Sequence, residues 1–293
     1  MCFGEVITAM ITPFREDGAV NYEKAQELAV HLIENGSDGI LVSGTTGESP
    51  TLTYDETETL FREVKDAVGK KATIIGGAGS NCTGEIIKHI KIYNKIGLDG
   101  YLSVVPYYNK PTQSGILKHF EAINAAVECP VMLYNIPGRT GVNMEVDTIA
   151  KLAELKYIKA LKESTGSVDD LSQLKMKLPE DFSIYSGDDF MTLAAVALGA
   201  RGVVSVASHF VGKEIKEMIQ CVKNNNMDRA LELHLRLYPI FKGMFVTANP
   251  IPTKTGLNLL GFEVGGFRLP LCEGTAEQTE FIKNLLQKYE LLP

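Results

Sequence analysis

A chain of 293 residues, 45% hydrophobic and 22% charged, has an ordinary globular composition and length enough for a large core. A net charge of -7 without any Lys/Arg cluster argues against sequence-independent nucleic-acid binding. Five scattered cysteines, Cys2, Cys82, Cys129, Cys221 and Cys272, contain no C-x-x-C pair and argue against a disulfide framework or a zinc site.

In chain order, short runs rich in Val, Ile, Leu and Tyr recur: EVITAMITPF from Glu5, GILVSG from Gly39, ATIIGGAG from Ala72, GYLSVVP from Gly100, PVMLYNIP from Pro130, YIKALKES from Tyr157, FSIYSGDD from Phe182 and GVVSVAS from Gly202. Amphipathic stretches such as NYEKAQELAVHLIENG, YDETETLFREVKDAVG and SGILKHFEAINAAVE separate them, with apolar residues at i, i+3 and i+4. Asn21 and Thr53 are placed as N-caps, the second with Glu56 as a capping box. Eight strand-then-helix units predict a parallel (β/α)8 TIM barrel over 1–225, a doubly wound open sheet being the structural alternative. The last barrel helix is expected at about 213–223 and a C-terminal helical domain at 226–293. The opening MCFGEVITAMITPF lacks a basic secretory region, and no segment holds the roughly 18 uninterrupted apolar residues of a spanning helix. A cytoplasmic protein without a membrane partner is the expectation.

In such a barrel the C-terminal strand ends build the active site. Those ends carry Thr45, Thr46 and Glu48; Gly79, Ser80 and Asn81; Tyr107 and Tyr108; Tyr134 and Asn135; Lys162 and Glu163; Gly187 and Asp188; and Ser205. Strict alternation places Ile158, Ala160 and Lys162 on one face and Leu161 on the other. An amine held among apolar walls loses its proton readily and attacks a ketone to form an imine, the electron sink for chemistry at the adjacent carbon. Tyr134 can then shuttle protons, with Thr46 and Tyr108 relaying them. The GTTGE loop, Gly44 to Glu48, offers N–H groups and hydroxyls to a carboxylate, and Arg139 in GRTG offers a guanidinium to a second one.

Plainer readings exist for the same residues. Lys162 can be an ion-pairing lysine with Glu163 as its partner, Arg139 a surface ion pair, and Tyr107 and Tyr108 interface or core aromatics. His31, His89, His119, His209 and His234 lie in helical text without H-E-x-x-H spacing and read as helix-face residues. GGAGSN lacks the dinucleotide fingerprint, and Asp188 with Asp189 is weak support for a metal, so no metal site is expected.

The set GTTGE, PYYNKP, YNIPGRTG, ALKES and YSGDD, with NPIPTK from Asn249, resembles the dihydrodipicolinate synthase (4-hydroxy-tetrahydrodipicolinate synthase) family of the N-acetylneuraminate lyase superfamily across essentially the whole chain. The resemblance implies a Schiff-base condensation of pyruvate with aspartate semialdehyde in lysine biosynthesis, without a cofactor. It assigns the imine to Lys162, the pyruvate carboxylate to Thr45 and Thr46, acid/base work to Tyr134, the relay to Thr46 and Tyr108, and the semialdehyde carboxylate to Arg139. Gly187 and Val204 match backbone that lines the pyruvate pocket. Tyr108 would reach into a neighbouring subunit, which implies a homo-oligomer, as a tetramer built from two dimers. Ser49, Asn81, Glu85 and Tyr107 match an allosteric lysine site, while Pro50, Tyr54 and Thr57 depart from it, so weak or absent lysine inhibition is expected. N-acetylneuraminate lyase, a 2-keto-3-deoxy sugar-acid aldolase and a catalytically silent ligand sensor are the alternatives; Arg139 separates the synthase from the first two.

Overall fold

Eight short strands carry the alternating and continuous apolar runs: β1 (Val6–Ala9), β2 (Gly39–Val42), β3 (Thr73–Gly77), β4 (Gly100–Val104), β5 (Val131–Asn135), β6 (Ile158–Glu163), β7 (Ser183–Ser186) and β8 (Gly202–Ser205). In the computed structural model, which describes residues 3–292, each strand pairs in parallel with the next and β8 closes onto β1. The sheet is a closed (β/α)8 barrel, not an open doubly wound sheet. Cys2 lies outside the described residues; the other four cysteines are free thiols.

The connections are α1 (Tyr22–Glu34), α2 (Tyr54–Val68), α3 (Thr83–Tyr93), α4 (Gln113–Ala126), a short α5 (Pro137–Thr140) followed by α6 (Val146–Ala153), α7 (Val168–Lys177), α8 (Thr192–Ala197) and α9 (Ser208–Lys223). Asn21 caps α1 by accepting from Lys24 N–H, and Thr53 with Glu56 forms the capping box of α2. Helix α9 begins five residues before the position expected from sequence and bends at Val211, whose backbone is non-helical. Its early start follows from Asp189, whose buried carboxylate accepts from Val206 N–H at 3.1 Å, Ala207 N–H at 3.0 Å and the Ser205 hydroxyl.

Two apolar layers result from strand alternation. Ile7, Ala9, Leu41, Ile75, Leu102, Met132, Ala160, Tyr185 and Val204 fill the barrel, and Phe3 closes its N-terminal mouth. Ile40, Val42, Ile74, Leu133 and Leu161 point outward into a second layer against α1 to α7. Burying each such Leu or Ile stabilises the fold by about 1.5–3 kcal/mol. One side chain departs from strict alternation. The β5–β6 register skips Lys159, pairing Val131 with Ile158 and Met132 with Ala160. That one-residue irregularity turns Ile158 outward to the helix layer while Ala160 stays inside, so Ile158 does not share the face of Lys162.

Three further helices follow, α10 (Met227–Gly243), α11 (Ile251–Leu259) and α12 (Ala276–Lys288). Leu233, Leu237, Ile240, Phe241, Ile282 and Leu286 pack them against α9 and the outer faces of β1 and β8. At the barrel mouth the tie is ionic: Lys254 Nζ lies 2.6 Å from Glu48 Oε1, both side chains having no exposed surface. Lys254 also donates to Gly266 O at 2.7 Å and sits over the Phe14 ring, and Arg268 N–H donates to the other Glu48 oxygen at 3.2 Å. Glu48 has a left-handed backbone, φ 54°, and this pair holds it there. Lys254→Met, which leaves the Glu48 carboxylate buried without its counter-ion, is expected to lower unfolding stability by about 3–5 kcal/mol in urea titration; a loss under about 1 kcal/mol contradicts this account of the clamp.

Candidate active site

At the C-terminal mouth, β5 and β6 place Tyr134 and Lys162 as direct neighbours in register, with Tyr185 of β7 opposite Lys162 on the other side. Lys162 is 6% exposed, and its Nζ stands 4.3 Å from the centroid of the Tyr134 ring. Burial pulls the ammonium down to about 8, opposed by the Asp188 and Asp189 carboxylates and reinforced by the Arg139 charge. At pH 7 about one amine in ten is then neutral, against fewer than about one in a thousand for a solvated lysine. Burial pushes the Tyr134 phenol up, so it remains a proton donor at neutral pH.

The ion-pair reading of Lys162 has no partner in the structure. Glu163 faces away on the opposite side of β6, accepting from Asn135 Nδ2 at 3.1 Å and Thr165 N–H at 2.9 Å. Burial raises its carboxyl to about 7. Asn135 in turn accepts from Met144 N–H at 3.0 Å, so the Asn135–Glu163 pair fixes the loop after β5 and does no work in the mouth. Among the described residues neither Lys162 nor Arg139 forms an ion pair.

The remaining groups surround the amine. A Cβ on Gly187 would stand 3.0 Å from Lys162 Cε and 1.9 Å from Ser164 Oγ, so only glycine admits the lysine here. Val204 is buried in the same interior layer as Tyr134 and Ala160. After β2 the chain turns through Gly47 N–H to Gly44 O at 3.0 Å and Glu48 N–H to Thr45 O at 3.1 Å. Among the described residues the N–H groups of Thr45 and Thr46 have no intramolecular acceptor, which leaves two donors and two hydroxyls for an anion. Thr46 is 3% exposed, and its Oγ1 accepts from Asn249 Nδ2 at 2.8 Å.

A cavity of about 670 Å³ opens beside this centre. Its wall includes Thr45 and Arg139, and it continues to Ser49, Tyr54, Thr57 and Tyr107 on the side of α2 and the β4 loop. Tyr54 stacks on His89 with ring centroids 3.1 Å apart, and His89 lies 3.4 Å from Glu85. Asn81 and Glu85 lie outside that wall, Asn81 at the start of the α3 loop with its carbonyl accepting from Asn109 Nδ2 at 3.0 Å. Tyr108 does not join Lys162 within one chain: it is 88% exposed with a left-handed backbone, φ 71°. Of the two acidic residues, Asp189 is committed to the β8 turn, and burial raises the carboxyl of Asp188 against the pull of Lys162. Among the described residues no group of three His, Cys, Asp or Glu side chains is placed to hold a metal.

All five histidines lie in helices, and one of them also ties loops together. His209 is buried, accepts from Ile11 N–H at 3.3 Å and donates from Nδ1 to Val206 O at 2.8 Å, tying the β1 and β8 loops together. Burial lowers it to about 4, so the ring is neutral and can serve both bonds. Asn249, Lys254 and Asp189 are the polar residues around the mouth that strand-end reasoning missed, because their partners are 203, 206 and 16 to 18 positions away.

The Dihydrodipicolinate synthetase family model matches residues 2–289. A 4-hydroxy-tetrahydrodipicolinate synthase of Synechocystis sp. is 52% identical over 292 residues, covering 99% of this chain and 97% of the relative. One of Cyanothece sp. is 53% identical over 291 residues, covering 99% of each. The solved structure from Cyanidioschyzon merolae, with lysine bound, superposes with a TM-score of 0.97 at 51% identity over 99% of both chains, and that from Aquifex aeolicus with 0.96 at 44% over 99% of both. With a family model spanning nearly the full length and relatives above half identical, this chain belongs to the dihydrodipicolinate synthetase family.

Proposed function

We propose that the protein is a 4-hydroxy-tetrahydrodipicolinate synthase, condensing pyruvate with aspartate semialdehyde through an imine on Lys162. The observation that carries this is the buried Lys162 amine, unpaired and 4.3 Å above the Tyr134 ring, with two free N–H groups at Thr45 and Thr46 nearby in the mouth. The neutral amine attacks the pyruvate ketone, forming the C–N bond of a carbinolamine. Tyr134 gives its proton to the departing hydroxyl, which leaves as water, and the iminium remains. Loss of a methyl proton to the relay gives the enamine, whose carbon bonds to the aldehyde carbon of the semialdehyde while the aldehyde oxygen takes a proton back from the relay and becomes the hydroxyl. The semialdehyde's own amine then adds to the iminium carbon, closing the ring and freeing Lys162. No external cofactor is needed, since the iminium is the electron sink.

Thr45 and Thr46 hold the pyruvate carboxylate, with the backbone of Gly187 and Val204 along the other wall. Arg139 takes the semialdehyde carboxylate; its lack of a protein counter-ion supports this over the sugar-acid aldolases. Thr46 and Tyr108 complete the proton relay. Because Tyr108 stands out in solvent in one chain, the relay closes only when a second copy donates it, so the working unit is at least a dimer, paired into a tetramer. In this reading residues 1–225 carry the chemistry and 226–293 support the mouth in a cytoplasmic enzyme. Ser49, Asn81, Glu85 and Tyr107 form a lysine site weakened by Pro50, Tyr54 and Thr57.

Borohydride reduction in the presence of pyruvate is expected to leave a pyruvate-derived mass on the Lys162 peptide and none in Lys162→Ala; an adduct on Lys159 or no adduct contradicts the mechanism. Arg139→Ala should raise KM for the semialdehyde and leave imine trapping intact, with about a 100-fold loss of kcat/KM for a charge-assisted carboxylate bond. An unchanged KM overturns the clamp. Lysine titration of turnover should give half-inhibition only above the order of a millimolar, a weak site; inhibition at micromolar lysine rejects the weakened cage.

A further inference from the structure

The strand that carries Lys162 ends at Glu163, and the next residue, Ser164, has no role in the chemistry above. The ladder nonetheless runs on through it. Ser164 N–H donates to Asn135 O at 2.9 Å, and Gly187 N–H donates to Glu163 O at 2.8 Å, so the backbone of Ser164 is held between the ends of β5 and β7. Two positions beyond Lys162, its side chain returns to the inner face from which Glu163 is turned away. Contact confirms the placement: the Cβ that Gly187 lacks would lie 1.9 Å from Ser164 Oγ and 3.0 Å from Lys162 Cε, so the hydroxyl and the last methylene of the lysine flank the same glycine.

Ser164 Oγ is buried and, among the described residues, has no hydrogen-bond partner. Its neighbour across the β5–β6 pair is the Tyr134 phenol. Burial pushes that phenol up, and the Arg139 charge and the Ser164 hydroxyl pull it the other way, although no hydrogen bond between the two side chains is complete in the resting site. Packing does not account for a hydroxyl here. An alanine would keep the backbone bond to Asn135 and would remove an unsatisfied buried group. An unspent donor has its use where charge arises during the reaction. When Tyr134 gives its proton to the carbinolamine hydroxyl, the C–O bond breaks, water leaves, and the phenol oxygen carries the negative charge until the relay returns a proton. Resting on the Schiff-base reading, we propose that Ser164 is a positioning residue for Tyr134: its hydroxyl closes a hydrogen bond onto the phenol oxygen as the proton leaves, and so speeds the loss of water that forms the imine.

The test is a double-mutant cycle on the full-length protein, in which borohydride traps the pyruvate imine on Lys162 at timed intervals over a range of pyruvate concentrations. Ser164→Ala is expected to slow imine formation at saturating pyruvate by about tenfold to a hundredfold, the worth of one hydrogen bond to a charged oxygen. The pyruvate concentration that gives half the maximal rate should stay within about twofold, because the substituted group acts on the proton donor and not on the keto acid. In a Tyr134→Phe background the same substitution should change the rate by less than about twofold, since the oxygen it serves is gone. Should Ser164→Ala fail to fold, Ser164→Cys keeps the side chain and weakens its donor, and the same cycle is read with it.

An unchanged rate, equal slowing with and without the phenol, or a loss confined to half-saturation and melting temperature overturns the proposal. Absence of any pyruvate adduct in the unaltered protein would instead overturn the Schiff-base reading, so the two failures are distinguishable.

Discussion

Removing one ammonium group from water is the constraint around which the mouth of this barrel is organised. Lys162 is buried, has no carboxylate within ion-pair distance among the described residues, and is held near 8. In a structural lysine that burial would be a defect to be repaired by a counter-ion, as Glu48 does for Lys254. Here two of the carboxylates around the mouth are committed elsewhere. Asp189 is bound by three donors from the β8 turn, and Glu163 faces Asn135 and Thr165 on the far side of the strand. The amine stands outside any salt bridge, and its burial makes the proton easier to lose.

The same buried carboxylates fix the walls. Glu163 with Asn135 shapes the loop that presents Arg139; Asp189 organises the turn after Val204; Glu48, tied to Lys254 and to Arg268 N–H, holds the loop that presents Thr45 and Thr46. Each is a charged or polar group whose hydrogen bonds end inside the protein, so each loop has one arrangement in place of several. Gly187 completes the fit by giving up the Cβ that would collide with Lys162 and Ser164. Fixed walls around a desolvated amine are what the proposed imine chemistry rests on.

The strand count, the parallel order and the barrel were legible in the text because every repeat carries an apolar run of strand length followed by a 3.6-period stretch. Lys162 and Tyr134 were legible for a related reason: a polar residue ending an apolar strand must sit at the C-terminal mouth. Strict alternation failed at Ile158, since an extra residue in β6 leaves no mark in a run where Ile158, Ala160 and Leu161 are all apolar. The start of α9 was placed too late because the turn that leads into it is fixed by Asp189, just after β7, whose carboxylate accepts from Val206 and Ala207 N–H, a partner that no local pattern announces. Asn249 and Lys254 were visible only as letters in a familiar motif; their contacts with Thr46 and Glu48 exist only after the chain has closed on itself. The exposed Tyr108 phenol is the converse case, a residue legible in the sequence at the strand end that within one chain stands 88% exposed.

The most direct test is the titration of the Lys162 amine itself, by NMR of lysine-labelled protein with the signal assigned through its loss in Lys162→Met. A midpoint near 8, well below the usual lysine value, is what the desolvated mouth predicts. A midpoint above about 10, the value of a solvated lysine, would contradict it and return Lys162 to an ordinary structural role.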